Sequence, residues 1–427
     1  MEHRSPLAPS VRDNASSSDD SRFMGPQLAE AARALASGEA LRALALAGRD
    51  DTALGLTLRG IAYAQLGDLE LGRASLARAV MAKDADALTV ARARAAQVEI
   101  ELTAGDPAAA SRTARESAEE LERLGDGRNA AMQRLVVARA AVLLGHLAEA
   151  RALAANVQEA DLPAEVRAVA LLTQAEIATR ALAPTDAAQS LAQAREALDS
   201  SPHPLLLRAL SALEKELSVP IARTLRRGTI AQANLFAIED LFEDDVLLVD
   251  ACRLLVGAGR VAILLARRPV LFALLLVLAR AWPESVPRDE LIARAFDVRT
   301  PNDSHRSRLR VEIGRLRSVL ADGLDAEPVA TKDGYALDTR REVAVLLPAT
   351  DDEAARVAVL LTDGAAWSAQ ALADHAGVSK RTALRALSAL VDAGGAIRTG
   401  SGTSVRYTRP GPPIASRMLL LGLLPKS

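Results

Sequence analysis

Arginine recurs at close spacing in a segment near residue 310 that has the apolar periodicity of a helix. Its apolar residues fall on one helical stripe that should face a core: Leu309, Ile313, Leu316 and Leu320. Between Ser304 and Leu320 there are five Arg and one Glu, a local charge of +4 in a chain of net charge −2. A helix fits the DNA major groove, where arginine contacts phosphates or guanine. The segment therefore predicts a nucleic-acid-binding helix.

A second basic cluster lies between Ser379 and Arg409, with six Lys or Arg and a single acidic residue, Asp392. Ser379 suits the N-cap of a helix that would extend to Ala393. The spacing predicts three inward-facing apolar residues: Leu384, Leu387 and Val391. Contacts to a partner should come from the outer side of this helix and from a following hairpin: Lys380, Arg381, Thr382, Arg385, Arg398 and Arg406.

Each cluster needs a compact unit to position its helix. Around the first one, strand and turn signals precede three helical patterns, and Pro287 marks a helix start. The predicted order is small sheet, three helices and hairpin: strands within 246–265, helices at 270–281, 288–296 and about 302–320, and a hairpin at 328–339. We call residues 245–341 the first module and expect it to be α+β.

The first module resembles a known family. The run Ser307–Leu320 (SRLRVEIGRLRSVL), followed by Ala330–Leu337 (ATKDGYAL), resembles the recognition helix and wing of OmpR/PhoB-type winged-helix DNA-binding domains. The resemblance covers about 246–339 and implies double-stranded DNA as the partner. It implies these DNA-binding positions: Arg308, Arg310, Val311, Glu312, Gly314 and Arg315 at bases or backbone, Arg317 near phosphate, and Lys332 in the wing.

The second module, residues 351–410, repeats this plan in a smaller form. Its predicted elements are helices at 352–361 and 368–375, a turn at 376–378, the basic helix from Ser379, and a hairpin at 396–409. It is similar to a generic bacterial helix-turn-helix with a wing, of the MarR or DeoR type. A short linker between Arg341 and Asp351 should connect the two modules.

Turn residues recur at a nearly fixed period between residues 26 and 218. The recurring pairs, 38 to 40 residues apart, are Gly67-Asp68, Gly105-Asp106, Gly145-His146 and Ala183-Pro184. Such a period is typical of stacked helical hairpins. The order Leu56, Gly60, Tyr63, Gly72, Leu76 and Ala79 resembles the tetratricopeptide (TPR) consensus. The resemblance implies a solenoid that binds an unknown protein or peptide, and a packing scaffold or dimerisation block is the alternative.

Several function classes have no support in the sequence. Cys252 is the single cysteine, so internal disulfides and cysteine-rich zinc sites are excluded. No phosphate-binding loop, paired nucleophile or metal-spaced cluster appears, so we expect no enzyme activity, no cofactor and no metal. The apolar run at 261–282 is cut by Arg267, Arg268 and Pro269, so we expect no membrane association and a cytoplasmic location.

Taken together, these patterns predict a mainly α protein: an N-terminal TPR-like α-solenoid followed by two α+β winged-helix modules. Residues 1–25 should form a disordered arm, 219–244 a connector and 411–427 an apolar tail. The expected function is a sequence-specific DNA-binding transcription regulator whose helical repeats sense a protein or peptide. The alternative is a non-enzymatic scaffold whose winged helices bind protein, which the net charge of −2 keeps open. A homodimer is compatible with either function.

Overall fold

The computed structural model describes residues 25–158, 162–200, 202–296, 298, 300–321, 323–350, 353–361, 366–400, 402 and 405–409. Within these residues the protein is mainly helical, which confirms the predicted mainly α class, and its β-sheets lie in the C-terminal half. The predicted arm, apart from Gly25, and the predicted apolar tail lie outside the described residues.

Eleven helices follow one another in the described part of residues 26–218, which we call the helical region. They are α1 (Pro26–Ala36), α2 (Ala40–Ala47), α3 (Ala53–Leu66), α4 (Leu69–Val80), α5 (Ala87–Thr103), α6 (Pro107–Arg123), α7 (Gly127–Leu143), α8 (Leu147–Gln158), α9 (Ala164–Arg180), α10 (Pro184–Ser200) and α11 (Pro204–Ser218). Each helix packs against its neighbours in sequence, and α5, α7 and α9 also contact one another in order.

The recurring turn residues separate consecutive helices for a local reason. Gly67 ends α3 in the left-handed conformation, at a φ of 92°, which glycine adopts without steric cost. The carboxylate of Asp68 then accepts a hydrogen bond from the backbone N–H of Leu71 and caps α4. Asp106 and Asp126 cap α6 and α7 in the same way.

Small residues let neighbouring helices approach closely. A Cβ atom on Gly60 of α3 would lie 2.6 Å from Cγ of Leu76 in α4, so only glycine fits that crossing. Alanine and leucine supply most of the buried side chains of the helical region. Helices α7 and α9 are covered on almost every side by their neighbours. The low aromatic content of this region is thus compatible with a dense core.

Eleven strands and seven helices are described after the helical region. They are β1 (Ala222–Arg226), β2 (Thr229–Ala233), α12 (Leu235–Glu243), β3 (Val246–Asp250), β4 (Leu255–Ala258), β5 (Val261–Leu264), α13 (Pro269–Ala281), β6 (Val286–Pro287), α14 (Arg288–Phe296), α15 (Asp303–Leu320), β7 (Ala326–Ala330), β8 (Gly334–Thr339), β9 (Glu342–Pro348), α16 (Glu353–Leu360), α17 (Ala369–Ala376), α18 (Lys380–Asp392), β10 (Ile397–Thr399) and β11 (Arg406–Thr408).

Six strands form one sheet in the order β2-β1-β9-β3-β4-β5. Strand β9 is antiparallel to β1 and parallel to β3, and the other neighbours are antiparallel. Strands β6, β8 and β7 form a second sheet, and β10 pairs with β11. Helices α13, α14 and α15 share one core with a face of the large sheet, so this core holds α15 in position.

The structure corrects the predicted connector at 219–244 and the predicted linker between Arg341 and Asp351. The connector forms β1, β2 and α12, and most of the linker is β9, a central strand of the large sheet. Residues 343–348 of β9 are buried, as expected for a strand with both faces covered. Local patterns missed this strand because its partners β1 and β3 are distant in sequence.

The second module has its own small core. Helices α16, α17 and α18 and the β10–β11 hairpin surround a cluster that includes Val357, Leu372, Leu387 and Tyr407. Val359 of α16 packs instead into the cluster on the other face of the large sheet. The second module is therefore packed against the rest of the protein as well as joined to it through β9.

Candidate nucleic-acid interface

Helix α15 carries most of the predicted contact residues of the first module. The side chain of Asn302 accepts a hydrogen bond from the backbone N–H of His305, and the Asn302 N–H donates to Nδ1 of His305. This reciprocal cap defines where the helix begins. The predicted inward stripe is buried: Leu309, Ile313, Leu316 and Leu320. The opposite arc of α15 is therefore turned away from the core.

Arg308, Arg310 and Val311 lie on or beside this outer arc. The guanidinium of Arg308 lies 4.6 Å from the ring centroid of Phe296 in α14, so a cation–π contact holds it. Arg310 is exposed and makes no hydrogen bond or ion pair to another described residue. Val311 is 54 % exposed, an unusual position for a β-branched apolar side chain. The arc thus offers a free cation beside an apolar group.

Glu312 and Arg315 form an ion pair on the same helix. Nη1 of Arg315 donates to Oε1 of Glu312 at 2.9 Å. The Arg315 side chain remains 64 % exposed, whereas that of Glu312 is only 12 % exposed. Gly314 lies between them with nothing within 4 Å of where its Cβ would be. Glu312 therefore orients Arg315 and has little surface of its own to offer a partner.

Arg317 connects α15 to the hairpin formed by β7 and β8. Its Nη2 donates to the carbonyl oxygen of Pro328 at 2.6 Å, and its Nε lies 3.3 Å from a carboxylate oxygen of Glu327. The side chain is half exposed. Arg317, which was predicted to lie near phosphate, thus also holds β7 against α15, and no local pattern in the sequence indicated this contact.

Lys332 is exposed in the turn between β7 and β8. Arg288 of α14 supports this turn, because its guanidinium donates to the carbonyl oxygens of Thr331 and Lys332. A Cβ on Gly334 would lie 1.8 Å from the backbone oxygen of Val286, so the close pairing of β8 with β6 requires glycine there. Sequence reasoning missed Arg288 because its partners lie in another element.

Helix α18 carries the basic residues of the second module. Ser379 caps it through the backbone N–H of Thr382, as predicted. Lys380, Arg381 and Arg385 are exposed, whereas Thr382 is half buried with its hydroxyl 2.9 Å from Oγ of Ser379. Thr382 thus contributes to the cap of the helix.

The predicted inner face of α18 is corrected at one position. Leu384 is 41 % exposed, while Leu387 is buried and Val391 packs at the edge of the core. Ala383 and Ala386 occupy the inner face. Small alanines allow α16 and α17 to pack close to α18, and this packing rotates the larger leucine outward. The outer face of α18 therefore combines basic side chains with an apolar one.

The three arginines on and beside the β10–β11 hairpin differ in exposure and in their partners. Arg398 is exposed on β10. Arg406 on β11 is half buried, and its Nη1 donates to the carbonyl oxygen of Val405. Arg409, just after β11, forms an ion pair with Glu216 of α11 at 2.5 Å. This last contact joins the second module to the helical region, and no local pattern in the sequence indicated it.

Two clefts could receive a partner. One, of about 660 Å³, lies between the start of α13 and the side of α15, and is lined by Arg268, Val270, Arg315 and Val319 among others. The other, of about 960 Å³, lies in the helical region near the starts of α1, α3 and α5. Both acidic and basic residues line this second cleft: Arg49, Asp50, Asp84, Asp86 and Arg92.

No group of three or more His, Cys, Asp or Glu side chains that could hold a metal ion occurs among the described residues. None of the helices in the described ranges is long and apolar enough to cross a membrane. Cys252 is buried, and burial raises the pKa of its thiol. Comparison with known proteins finds no matching family model, curated protein or solved structure.

Proposed function

We propose that this chain is a sequence-specific DNA-binding transcription regulator and that α15 is its main DNA-contacting element. The observation that carries the proposal is the outer arc of α15. Arg310 is exposed there without a partner among the described residues, beside the exposed Val311 and the oriented Arg315. A free guanidinium can contact phosphate or guanine, and an exposed valine can contact a thymine methyl group.

The surroundings of α15 support this role. Arg317 and Arg288 tie the β7–β8 hairpin to α15 and α14, so a helix and a hairpin form one rigid surface. Exposed Lys332 at the hairpin tip extends the positive charge of α15. Rigid placement of this kind lowers the entropy cost of binding. In this proposal the first module is a winged helix, and α18 with β10–β11 is a second, smaller one.

The helical region would receive a protein or peptide signal. Its helices pack in sequence order, as the hairpins of a TPR-like solenoid would. The cleft of about 960 Å³ near the starts of α1, α3 and α5 is large enough for several side chains. Since its lining carries both Asp and Arg residues, a peptide with mixed charges would suit it best.

Gel retardation of random genomic DNA fragments at two salt concentrations tests DNA binding. We expect the full-length protein to retard DNA and its affinity to fall with salt. Arg310→Ala should cost about 1–3 kcal/mol if the side chain contacts a base, or lower the salt slope by about one unit if it contacts phosphate. The matched control is Arg112→Ala, an exposed arginine on α6, which should change neither quantity. Absence of retardation at both salt concentrations would contradict the proposal.

A protein-binding scaffold remains the second candidate, because apolar side chains are exposed on both basic helices. Val311 on α15 and Leu384 on α18 are 54 % and 41 % exposed. A protein partner would cover such groups, whereas DNA would cover few of them. Absence of retardation at both salt concentrations would favour this function, whereas retardation that Arg310→Ala leaves unchanged would exclude Arg310 as a DNA contact.

A further inference from the structure

Charged side chains are buried where the second module meets the helical region. Glu176 of α9 accepts hydrogen bonds from Arg139 of α7 at 2.9 Å and from Arg180, one turn further on, at 3.2 Å, and all three side chains are 2 % exposed. Glu216 of α11 pairs with Arg409, and both side chains are largely covered. The charges of Glu176 and Arg180 act on both members of that second pair.

Together these side chains form a charged cluster of three guanidinium groups and only two carboxylates: Arg139, Arg180 and Arg409 with Glu176 and Glu216. Four of its buried polar atoms find no hydrogen-bond partner among the described residues: Nε of Arg139, Nη1 of Arg180, Nη1 of Arg409 and Oγ1 of the adjacent Thr408. Burial raises the pKa of Glu216 and lowers the pKa of Arg409, because both charged forms lose hydration. Such a contact offsets its desolvation cost only in part.

The rest of the attachment of the second module is small. Its own core closes around Leu372, Leu387 and Tyr407 and does not merge with the cores of the helical region. It contacts the large sheet through Val359, and its Gly377 approaches Leu254 in the turn between β3 and β4. Helices α16, α17 and α18 can therefore stay packed if the contact at Arg409 is broken.

We propose that the Glu216–Arg409 pair is a latch that holds the β10–β11 hairpin of the second module against the helical region, and that opening it loosens the hairpin while the helices of both parts stay folded. On opening, Arg409 and Thr408 would be hydrated, and the hairpin would be free to contact a partner. A partner that binds the helical region better with the hairpin released would shift the protein toward the open form. The latch stands on geometry alone, and its effect on DNA binding rests on the proposed function.

Hydrogen exchange of the full-length protein, without DNA, tests the latch. Glu216→Gln should speed exchange of the β10 and β11 amides about tenfold or more and leave those of α15 unchanged, because breaking a buried pair promotes local opening. Glu214→Gln is the matched control: it lies on the same helix and removes an exposed pair with Arg195, so it should have no such effect.

Arg409→Met should open the hairpin in the same way from the other side of the pair. The double variant Glu216→Gln, Arg409→Met should exchange no faster than the faster single variant, because both changes remove one interaction. Unchanged exchange of β10 and β11 in both single variants would overturn the latch, as would an equal increase throughout the protein. A failure of DNA binding would leave these exchange results unaffected, so the two proposals are tested separately.

Discussion

Glu99 on α5 is a carboxyl group buried at 1 % exposure with no cation paired to it among the described residues. Gln133 of α7 donates a hydrogen bond to one of its oxygens at 3.3 Å, and the other oxygen has no partner in the described part of the chain. Burial raises the pKa of Glu99 well above its usual value. The folded protein therefore holds a proton that the unfolded chain releases.

This proton gives the first prediction. The stabilisation from a neutral Glu99 is complete below the unfolded-state pKa and is lost as the pH rises through the higher folded-state pKa. Glu99→Gln replaces the carboxyl group with an amide of similar shape that does not ionise. The free energy of unfolding of this variant should therefore fall less than that of the wild type between about pH 5 and pH 8. Urea unfolding at several pH values measures this. An exposed control on α6, Glu119→Gln, should follow the wild type, and parallel pH profiles for Glu99→Gln and wild type would contradict the prediction.

Among the secondary-structure elements, the β7–β8 hairpin is positioned by a close backbone contact between β8 and β6. Gly334 lies against the backbone oxygen of Val286 where β8 pairs with β6, whereas Gly314 in the middle of α15 has open space around it. A methyl group added at Gly334 has no room. A methyl group added at Gly314 would improve the helix propensity of that position.

The second prediction compares these two glycines. Gly334→Ala should separate β8 from β6 and lower the melting temperature, because the obstructing atom belongs to the backbone. Gly314→Ala should stabilise the protein by about 0.5–1 kcal/mol. Thermal unfolding followed by circular dichroism distinguishes them. Equal melting temperatures for the two variants would contradict close packing of Gly334 against Val286.

The third prediction concerns the limits of the sheet. Strands β1 and β2 complete it on one side of β9, and Ala222 and Ala233 are buried in the cluster that includes Leu346. A fragment starting at residue 245 would expose this side of β9, whereas one starting at residue 219 would keep it paired. The longer fragment should therefore be monomeric and melt at the higher temperature, as gel filtration and circular dichroism would record. Equal stability of the two fragments would argue that the first module folds without β1 and β2.

For the whole molecule, the net charge of −2 means that the proposed binding of DNA would depend on attraction by local surfaces. The two basic helices belong to modules connected through β9 and packed at the large sheet. Binding by one module would hold the other close to the same DNA and raise its effective concentration. The two modules should then act as one extended site.

The fourth prediction follows from this connection. Replacing Lys380 and Arg398 together with Ala removes an exposed cation from α18 and another from β10, so the protected DNA footprint should become shorter on one side. The part protected by the first module should remain at higher protein concentration. The pair Lys83→Ala and Arg112→Ala in the helical region serves as the control and should leave the footprint intact. A footprint of unchanged length would show that the second module does not touch DNA.

The sequence by itself determined helices α13 to α18, the cap at Ser379 and the positions of both basic clusters. Apolar periodicity, Asp and Ser caps and glycine turns act within a few residues, so the limits of α14 and α15 and the cap at Ser379 could be predicted from nearby residues. The outer arc of α15 follows directly from its inner stripe. These parts of the fold and of the candidate interface depend on local interactions.

Only the tertiary structure decided which distant segments meet. It placed β9 between β1 and β3, turned Leu384 outward, tied Arg317 to β7 and paired Arg409 with Glu216. Each of these results depends on a partner from another element, and the free energy of such a contact depends on how both partners are buried and oriented. A local pattern contains no information about that burial, so the sequence could indicate the charges and not their pairing.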